Sequence, residues 1–180
     1  WALKHYLDNI DMEYFGFCRY DSFLDFSVHS FADVPFKPLM ITDFEKIFND
    51  YSDERIYEEV KNYDVVTSSA VQNIQDLKYK TELYEIIRKK TPEMNEILSV
   101  IEKSGSVLSD LAFVMKKELV KEYLNWSLEI IFELEKSLVG KSLENNTIES
   151  LSSILLESWI KFKNLSQKVT TSVSVPMDGI

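Results

Sequence analysis

The sequence has little cysteine and little glycine, and each shortage excludes a class of protein. A single cysteine, Cys18, among 180 residues leaves no intrachain disulfide and no cysteine-rich zinc site. Four glycines are too few for the glycine-rich loops that cradle a dinucleotide or a phosphate, and neither pattern occurs. The apolar runs are all shorter than the roughly 18 to 20 residues that a membrane-spanning helix needs.

Positive charge is also in short supply. Lysine and arginine number 20 against 30 acidic residues, which gives a net charge of −10. Nonspecific binding of nucleic acid needs basic surfaces that displace counterions, so this balance argues against a nucleic-acid partner. What the chain does contain is typical of a folded domain: 45% of its residues are hydrophobic and 28% are charged. Its length fits one domain, or one domain with a short appendage.

Hydrophobic patterns predict three short strands separated by helices. The strands are predicted over residues 14–18, 63–67 and 111–115, and the first is expected to be a buried, interior element with Cys18 as a small hydrophobe. An irregular loop is expected over residues 27–40, which contain two prolines. Helices are predicted from residue 42, through 56–60, and over 77–90, 91–103, 116–139 and 147–162. This alternation favours an α/β fold, and an all-helical protein with apolar loops is the alternative.

Polar side chains follow the first predicted strand, at Arg19, Tyr20, Asp21, Ser22 and Asp25. Ligands of open α/β sheets bind beyond the carboxyl ends of strands. Arg19 is therefore a candidate phosphate clamp, since its guanidinium can make bidentate hydrogen bonds. Asp21 and Asp25 are candidate ligands for a divalent cation that bridges a diphosphate, and Asp21 is also a candidate base. The alternative is a surface loop whose charges are solvated.

Five further side chains are possible parts of a site. Asp64 lies at the head of the second predicted strand and Asp110 precedes the third, where each could project into a cleft or serve only as a loop or cap residue. His5 could contact a base or a sugar, with a structural histidine as the alternative. Trp126 and Trp159 lie at helical spacing among leucines and isoleucines, so we expect them in the core and not as sugar-stacking platforms.

Several segments, taken in order, resemble a known family. The runs that carry the likeness are WALK at 1–4, EYFGFCRY at 13–20, YDVV at 63–66, FVMKKEL at 113–119, EYLNW at 122–126 and IFELEK at 131–136. They are similar to the capsular and exopolysaccharide synthesis glycosyltransferases, whose domain was first described as being of unknown function. The likeness covers most of residues 1–163, and the long-helix block from 113 to 136 is its most specific part.

The resemblance implies a GT-A-like partial Rossmann sheet with a helix-rich C-terminal half. It implies one glycosyltransferase-like domain over residues 1–165, with residues 166–180 as a flexible tail or an edge strand. The implied reaction moves a sugar from a nucleotide donor to a saccharide or lipid-linked acceptor in bacterial surface-polysaccharide synthesis, with manganese or magnesium as the candidate cofactor. The implied location is the cytoplasm, without a transmembrane segment, and peripheral membrane association and oligomer formation are both open.

The glycosyltransferase hypothesis gives roles to these polar side chains, although the polar run departs from the family pattern. The family follows its strand with His-Tyr-Arg-Arg, whereas this chain has Arg19, Tyr20, Asp21 and Ser22 there. On this reading Arg19, Tyr20 and His5 contact the donor, Asp21 and Asp25 hold the metal, and Asp21, Asp64 and Asp110 are the candidate catalytic acids. The family domain also has a segment before the tryptophan, so we expect this chain to be a piece or a shortened relative. The alternative function is a noncatalytic interaction or scaffolding module that keeps the hydrophobic framework.

Overall fold

The structure is a computed structural model that describes residues 7–18, 22–26, 36–38, 52–109, 111–142 and 147–174. The strands are β1 Tyr14–Phe17, β2 Ser22–Leu24, β3 Phe36–Pro38, β4 Val65–Ser68, β5 Val71–Asn73, β6 Ser106–Leu108, β7 Phe113–Lys116, β8 Gln167–Thr170 and β9 Ser172–Ser174. The helices are α1 Asp53–Val60, α2 Lys80–Lys90, α3 Asn95–Ser104, α4 Lys117–Ser137 and α5 Thr147–Phe162. The expected helix from residue 42 lies outside the described residues.

A four-stranded sheet in the order β1-β7-β4-β8 organises the fold. β4 pairs in parallel with β8, whereas β7 runs antiparallel to both of its neighbours, β1 and β4. β1, β4 and β8 therefore run in the same direction. The predicted α/β class with a helix-rich C-terminal half is confirmed, and the all-helical alternative is wrong.

Each face of this sheet covers its own hydrophobic core. Val65 and Met115 face the larger core, which α2 to α5 supply. Val66 faces a smaller core that contains Leu24 and Val60. Neighbouring residues on a strand point to opposite faces, so the run of buried valines in β4 indicates a strand that is covered on both sides.

The helical half follows the predicted periodicity. On α4, buried residues recur every three or four positions, at Val120, Tyr123, Ser127, Ile130 and Leu134. α5 is buried over most of its surface. Trp159 lies in the core, and the partly buried Trp126 packs against it with ring centroids 5.3 Å apart, so the prediction for both tryptophans is confirmed.

β1 is a strand, as predicted, but its predicted interior position is wrong. Among the described residues it is an edge strand of the sheet, with β7 as its partner on one side. Phe17 is 40% exposed and Cys18 is exposed, which corrects the expectation of a buried cysteine. The Phe17 ring stacks on Phe113 of β7 with centroids 5.9 Å apart, and the rest of its surface is in contact with solvent.

Two smaller sheets complete the described structure. β5 pairs with β6, and β9 lies between β2 and β3. β3 falls within residues 27–40, so the expectation of an irregular loop is wrong for residues 36–38. Proline donates no backbone hydrogen bond, and the place of Pro38 in an outer strand fits that property. Among the described helices, none combines the length and the apolarity needed to cross a membrane.

Candidate functional site

Two edges of the four-stranded sheet could hold a site. The carboxyl edge is where β1, β4 and β8 end, and its residues are Phe17, Ser68 and Thr170, with Phe113 from β7. The amino edge is the opposite one, with Tyr14, Val65, Gln167 and Lys116. Ligands of open α/β sheets bind beyond the carboxyl ends of the strands, which makes the carboxyl edge the candidate functional site.

Buried polar residues gather at the carboxyl edge. Ser68, Thr171, Ser172 and Asp25 are all buried, and Asp25 is 7% exposed. The Asp25 backbone N–H donates to the Thr171 carbonyl at 2.8 Å, and the Thr170 hydroxyl Oγ1 donates to the Asp25 carbonyl at 2.9 Å. Buried polar groups need hydrogen bonds because water cannot reach them, so these contacts hold Asp25 in one place.

The end of β4 is tied to the same cluster. The Ser69 N–H donates to the Thr170 carbonyl at 2.7 Å. The Ser68 hydroxyl accepts from the Ala70 N–H at 3.1 Å, which is a local serine turn that directs the chain from β4 towards β5. The carboxyl edge is therefore a hydrogen-bonded junction between the main sheet and the segment that carries Asp25.

The segment around Asp25 is anchored on its other side by α1. The Phe26 carbonyl accepts from Arg55 Nε at 2.6 Å. The sequence places Arg55 on the first turns of α1, and Ser52 begins that helix by accepting from the Arg55 N–H at 3.2 Å. Leu24 and Phe26, which flank Asp25, are buried in the smaller core. Asp25 thus lies on a segment that is held from two directions.

Asp64 lies at the amino edge, where it joins three strands. Its Oδ1 accepts from Lys116 Nζ at 2.7 Å, and its Oδ2 accepts from the Ser166 N–H at 3.0 Å and the Ser166 hydroxyl at 2.8 Å. The Lys116 hydrogen bond, with the Ser166 backbone N–H second, lowers the pKa of Asp64 from 3.8 to about 2. A carboxylate with so low a pKa is a weak base, and the contacts of Asp64 stabilise the sheet by joining its strands.

The structure therefore separates the two described acidic candidates. Asp64 contacts Ser166, just before β8, and Asp25 contacts Thr170, at the end of β8. Four residues of extended chain span about 13 Å, so one small reacting group cannot touch both carboxylates. His5, Arg19, Tyr20, Asp21 and Asp110 lie outside the described residues, and their roles stay predictions.

The described neighbours of three of those residues lie at the carboxyl edge. Cys18 follows the last residue of β1 and precedes Arg19 and Asp21 in the sequence. Leu111 follows Asp110 and comes two residues before β7 begins at that edge. Cys18 and Leu111, the sequence neighbours of Arg19 and Asp110, therefore both lie near the carboxyl edge.

A cation site can be tested against the donor atoms present. Mg²⁺ and Mn²⁺ prefer carboxylate oxygens, and Asp25 is a carboxylate residue at the carboxyl edge whose side chain is buried. The described ranges contain no group of three or more His, Cys, Asp or Glu side chains that could hold a metal ion. The second predicted ligand, Asp21, lies outside those ranges, so the described residues alone do not form a cation site.

A groove beside β8 is a separate feature. Its volume is about 110 Å³, and its lining residues are Val71, Ser106, Val107, Leu108, Glu157, Ile160, Lys161 and Gln167. Pockets for drug-sized ligands are roughly 300 to 1,000 Å³, so this groove is too small for a nucleotide sugar. Glu157 is held in it by the Leu108 N–H, which donates to its Oε2 at 3.1 Å.

Sequence reasoning missed the residues that hold Asp25. Thr170, Thr171 and Ser172 belong to a stretch rich in Ser, Thr and Val, which predicted either an edge strand or a flexible tail. Alternating valines were the available signal for a strand. Thr170 and Asp25, which are in contact, are 145 residues apart in the sequence, and a local pattern cannot predict such a pairing.

Comparison with known proteins places the chain in a family. A family model described as a domain of unknown function, DUF4422, matches residues 1–164. The chain belongs to the DUF4422 family. The matched region ends before β8, so β8 and β9 of this DUF4422 chain lie beyond it. No curated protein matches the chain.

A solved structure shares the fold of this DUF4422 chain. It is the apo structure of WbbM, a bifunctional glycosyltransferase, which is similar with a TM-score of 0.73 at 20% sequence identity. The match covers 96% of this chain and 35% of the WbbM chain, so the DUF4422 chain spans about a third of that protein's length. The likeness shows that the chain has a glycosyltransferase-like fold.

Proposed function

We propose that this chain is a glycosyltransferase domain that transfers a sugar from a nucleotide donor to a saccharide or lipid-linked acceptor. The observation that carries the proposal is the fold shared with WbbM over 96% of the chain. The sequence resemblance to capsular and exopolysaccharide synthesis enzymes supports a role in bacterial surface-polysaccharide synthesis. The same resemblance favours a GT-A type of sheet and action in the cytoplasm.

We propose that the donor diphosphate binds beyond the carboxyl edge. Asp25 is fixed there through its backbone, and Arg19 and Asp21 follow Cys18 in the sequence from the same edge. The departure of a nucleoside diphosphate develops negative charge, which an arginine fork or another fixed donor stabilises. A carboxylate near the acceptor hydroxyl would take its proton as the new bond forms. Asp21, Asp25 and Asp110 are the candidates for that task.

Asp64 has a different role in this proposal. Its two carboxylate oxygens are occupied by Lys116 and Ser166, at the edge opposite to Asp25. We therefore assign Asp64 to the stability of the sheet, and not to proton transfer. Manganese or magnesium would be held by Asp21 with Asp25, and when bound it would neutralise charge on the diphosphate.

A calorimetric titration with uridine and guanosine diphosphosugars tests the proposal, with Mn²⁺ present and then with a chelator. We expect one donor class to bind, and Asp25→Asn to weaken that binding about 10- to 100-fold, as the loss of a charged contact does. Asp76→Asn is the matched control, since Asp76 is an exposed carboxylate in the 3₁₀ turn Ile74–Asp76. That control should bind like the unmodified chain.

The same titration separates the proposal from its rival. If no donor binds, with or without manganese, while the chain unfolds cooperatively, the enzymatic proposal is refuted. The chain would then be a noncatalytic interaction or scaffolding module built on the same fold. If a donor binds and Arg19→Ala or Asp21→Ala abolishes that binding, the module is the refuted alternative.

A further inference from the structure

We propose that the C-terminal residues Thr170–Ser174 form a clasp that positions Asp25 and holds β2 and β3 over the carboxyl edge. Within the clasp, Thr170 is the positioning residue. The effect on donor binding rests on the proposed function, whereas the clasp itself is a property of the fold. No residue of the clasp lies within the part of the chain that the family model matches, which ends at residue 164.

The first support is the order of strands in the small sheet. β9 is its middle strand: it pairs antiparallel with β2, Leu24 opposite Ser172, and in parallel with β3, Phe36 opposite Ser172. Within the described part of the chain, β2 and β3 have no other strand partner. Each is three residues long, and strands this short are not stable without pairing. Both therefore depend on β9 for their place.

The second support is the joint between the two sheets. β8 ends at Thr170 and β9 begins at Ser172, so Thr171 alone connects the main sheet to the small one. A connection of one residue has little freedom, and β9 takes its position directly from β8. β8 is in turn fixed by its parallel pairing with β4, the strand that is buried on both faces.

The third support is how Thr170 contacts both sides of the joint. Its carbonyl accepts from the Ser69 N–H at 2.7 Å, at the end of β4, and its hydroxyl donates to the Asp25 carbonyl at 2.9 Å. Thr171 adds its carbonyl as acceptor for the Asp25 N–H at 2.8 Å. Both backbone polar groups of Asp25 are thus bound by consecutive residues of one strand end.

The hydrogen bonds to the Asp25 backbone lie among largely buried residues. Asp25, Thr171 and Ser172 are buried, as are the side chains of Leu24 and Phe26. Thr170 itself is half-buried and its bond to the Asp25 carbonyl is partly buried, so water compensates only in part when the hydroxyl is lost, and the hold on Asp25 weakens. The Arg55 contact to Phe26 fixes the next residue but does not reach the Asp25 backbone. Loss of the Thr170 hydroxyl should therefore loosen residues 22–26 locally and leave the helical core intact.

The test compares Thr170→Val with Thr170→Ser. Valine has the shape of threonine without the hydroxyl, and serine keeps the hydroxyl. We measure amide hydrogen exchange by mass spectrometry in peptides that cover residues 22–26 and 36–38, with a peptide from α4 as the internal reference. The same proteins are then titrated with the donor that the unmodified chain binds best.

We expect Thr170→Val to speed exchange over residues 22–26 about 3- to 10-fold, the effect of one lost neutral hydrogen bond. The α4 peptide should not change, Thr170→Ser should restore slow exchange, and donor affinity should fall and recover in parallel. Unchanged exchange over residues 22–26 in Thr170→Val overturns the clasp, whether or not any donor binds. Faster exchange with unchanged donor affinity overturns the positioning role. If the unmodified chain binds no donor, the proposed function and the positioning role both fail, and faster exchange still supports the clasp.

Discussion

Replacing Asp64 by asparagine should remove a pH-dependent part of the stability of this domain. The Asp64 carboxylate accepts hydrogen bonds from Lys116 and from both donors of Ser166, and so it joins β4, β7 and the start of β8. Asparagine has nearly the same shape but carries no charge, and one of its two terminal groups is a donor that faces other donors. The substitution therefore tests the charge with little change in packing.

The pKa values set the size of the effect. In the unfolded chain the pKa of Asp64 is near its ordinary value of 3.8, and in the folded chain its hydrogen bonds lower it to about 2. At 1.36 kcal/mol for each pH unit, this difference corresponds to about 2.4 kcal/mol. The side chain is 28% exposed, and solvent screening reduces the figure, so we expect about 1 to 2 kcal/mol.

The sign of the pH dependence follows from the lowered pKa. A carboxyl that binds its proton less tightly when folded stabilises the fold above its unfolded pKa, and the benefit disappears as pH falls towards its folded pKa. The full loss in Asp64→Asn should therefore be seen above about pH 5, and it should shrink between pH 4 and pH 2.

Urea denaturation of the unmodified chain and of Asp64→Asn, repeated across that pH range, measures the difference in free energy of unfolding. Glu118→Gln is the control, because the Glu118 side chain is 78% exposed in its pair with Lys121 and should give a small difference at every pH. A difference for Asp64→Asn that stays constant from pH 7 to pH 2.5 would contradict an electrostatic origin and point to packing alone.

Two further predictions concern the backbone. Gly105 ends α3 with a φ of +73°, so Gly105→Ala should lower the free energy of unfolding, measured by thermal denaturation, by about 1 kcal/mol. Gly16→Ala should lower it less, because the added Cβ would lie 3.5 Å from a Val114 methyl, which is an ordinary contact. Equal losses in the two variants would contradict a conformational cause. A chain that ends at residue 164 lacks β8 and β9, and we expect that it no longer unfolds cooperatively in urea. A chain that ends at residue 174 keeps both strands and should unfold cooperatively. Cooperative unfolding of the shorter chain would refute the conclusion that β8 and β9 hold the sheets together.

Sequence patterns were sufficient for the elements that their own residues define. α2 to α5 carry apolar residues at helical spacing over ten or more positions, and the structure places helices there. The strands β4 and β7 fall on the predicted apolar runs, and β1 falls on the run that contains Gly16. In each case a local preference and the final structure agree.

The exposure of β1 could not be predicted because it depends on pairing and not on composition. The run from Tyr14 to Cys18 has the apolar character of an interior strand, yet among the described residues it has one partner strand, β7. An edge strand and an interior strand differ in their neighbours, which lie about 100 residues away in this chain, as the pairing of Phe17 with Phe113 illustrates. Strands of three residues, such as β2, β3 and β9, are too short to show a period of two at all.

The candidate site residues also include some that the sequence could predict and some that depend on the arrangement of the strands. Asp25 is predicted as a site residue because it belongs to the polar run that follows the first strand, and the structure places it at the carboxyl edge. Asp64 is also predicted as a site residue, because it too lies beside a strand in the sequence. Only the direction of the strands distinguishes the two, since Asp64 precedes β4 whereas Asp25 meets the end of β8.

The position of β9 also constrains how the protein can fold as it is synthesised. Leu24 pairs with Ser172, so the ribosome must add 148 residues after Leu24 before its partner is made. At about 5 to 20 residues per second, the early segment waits roughly 7 to 30 seconds for its partner strand to be translated. During that interval β2 and β3 lack the strand that joins them in the described structure, and a chaperone that shields nascent chains would meet them before β9 is made.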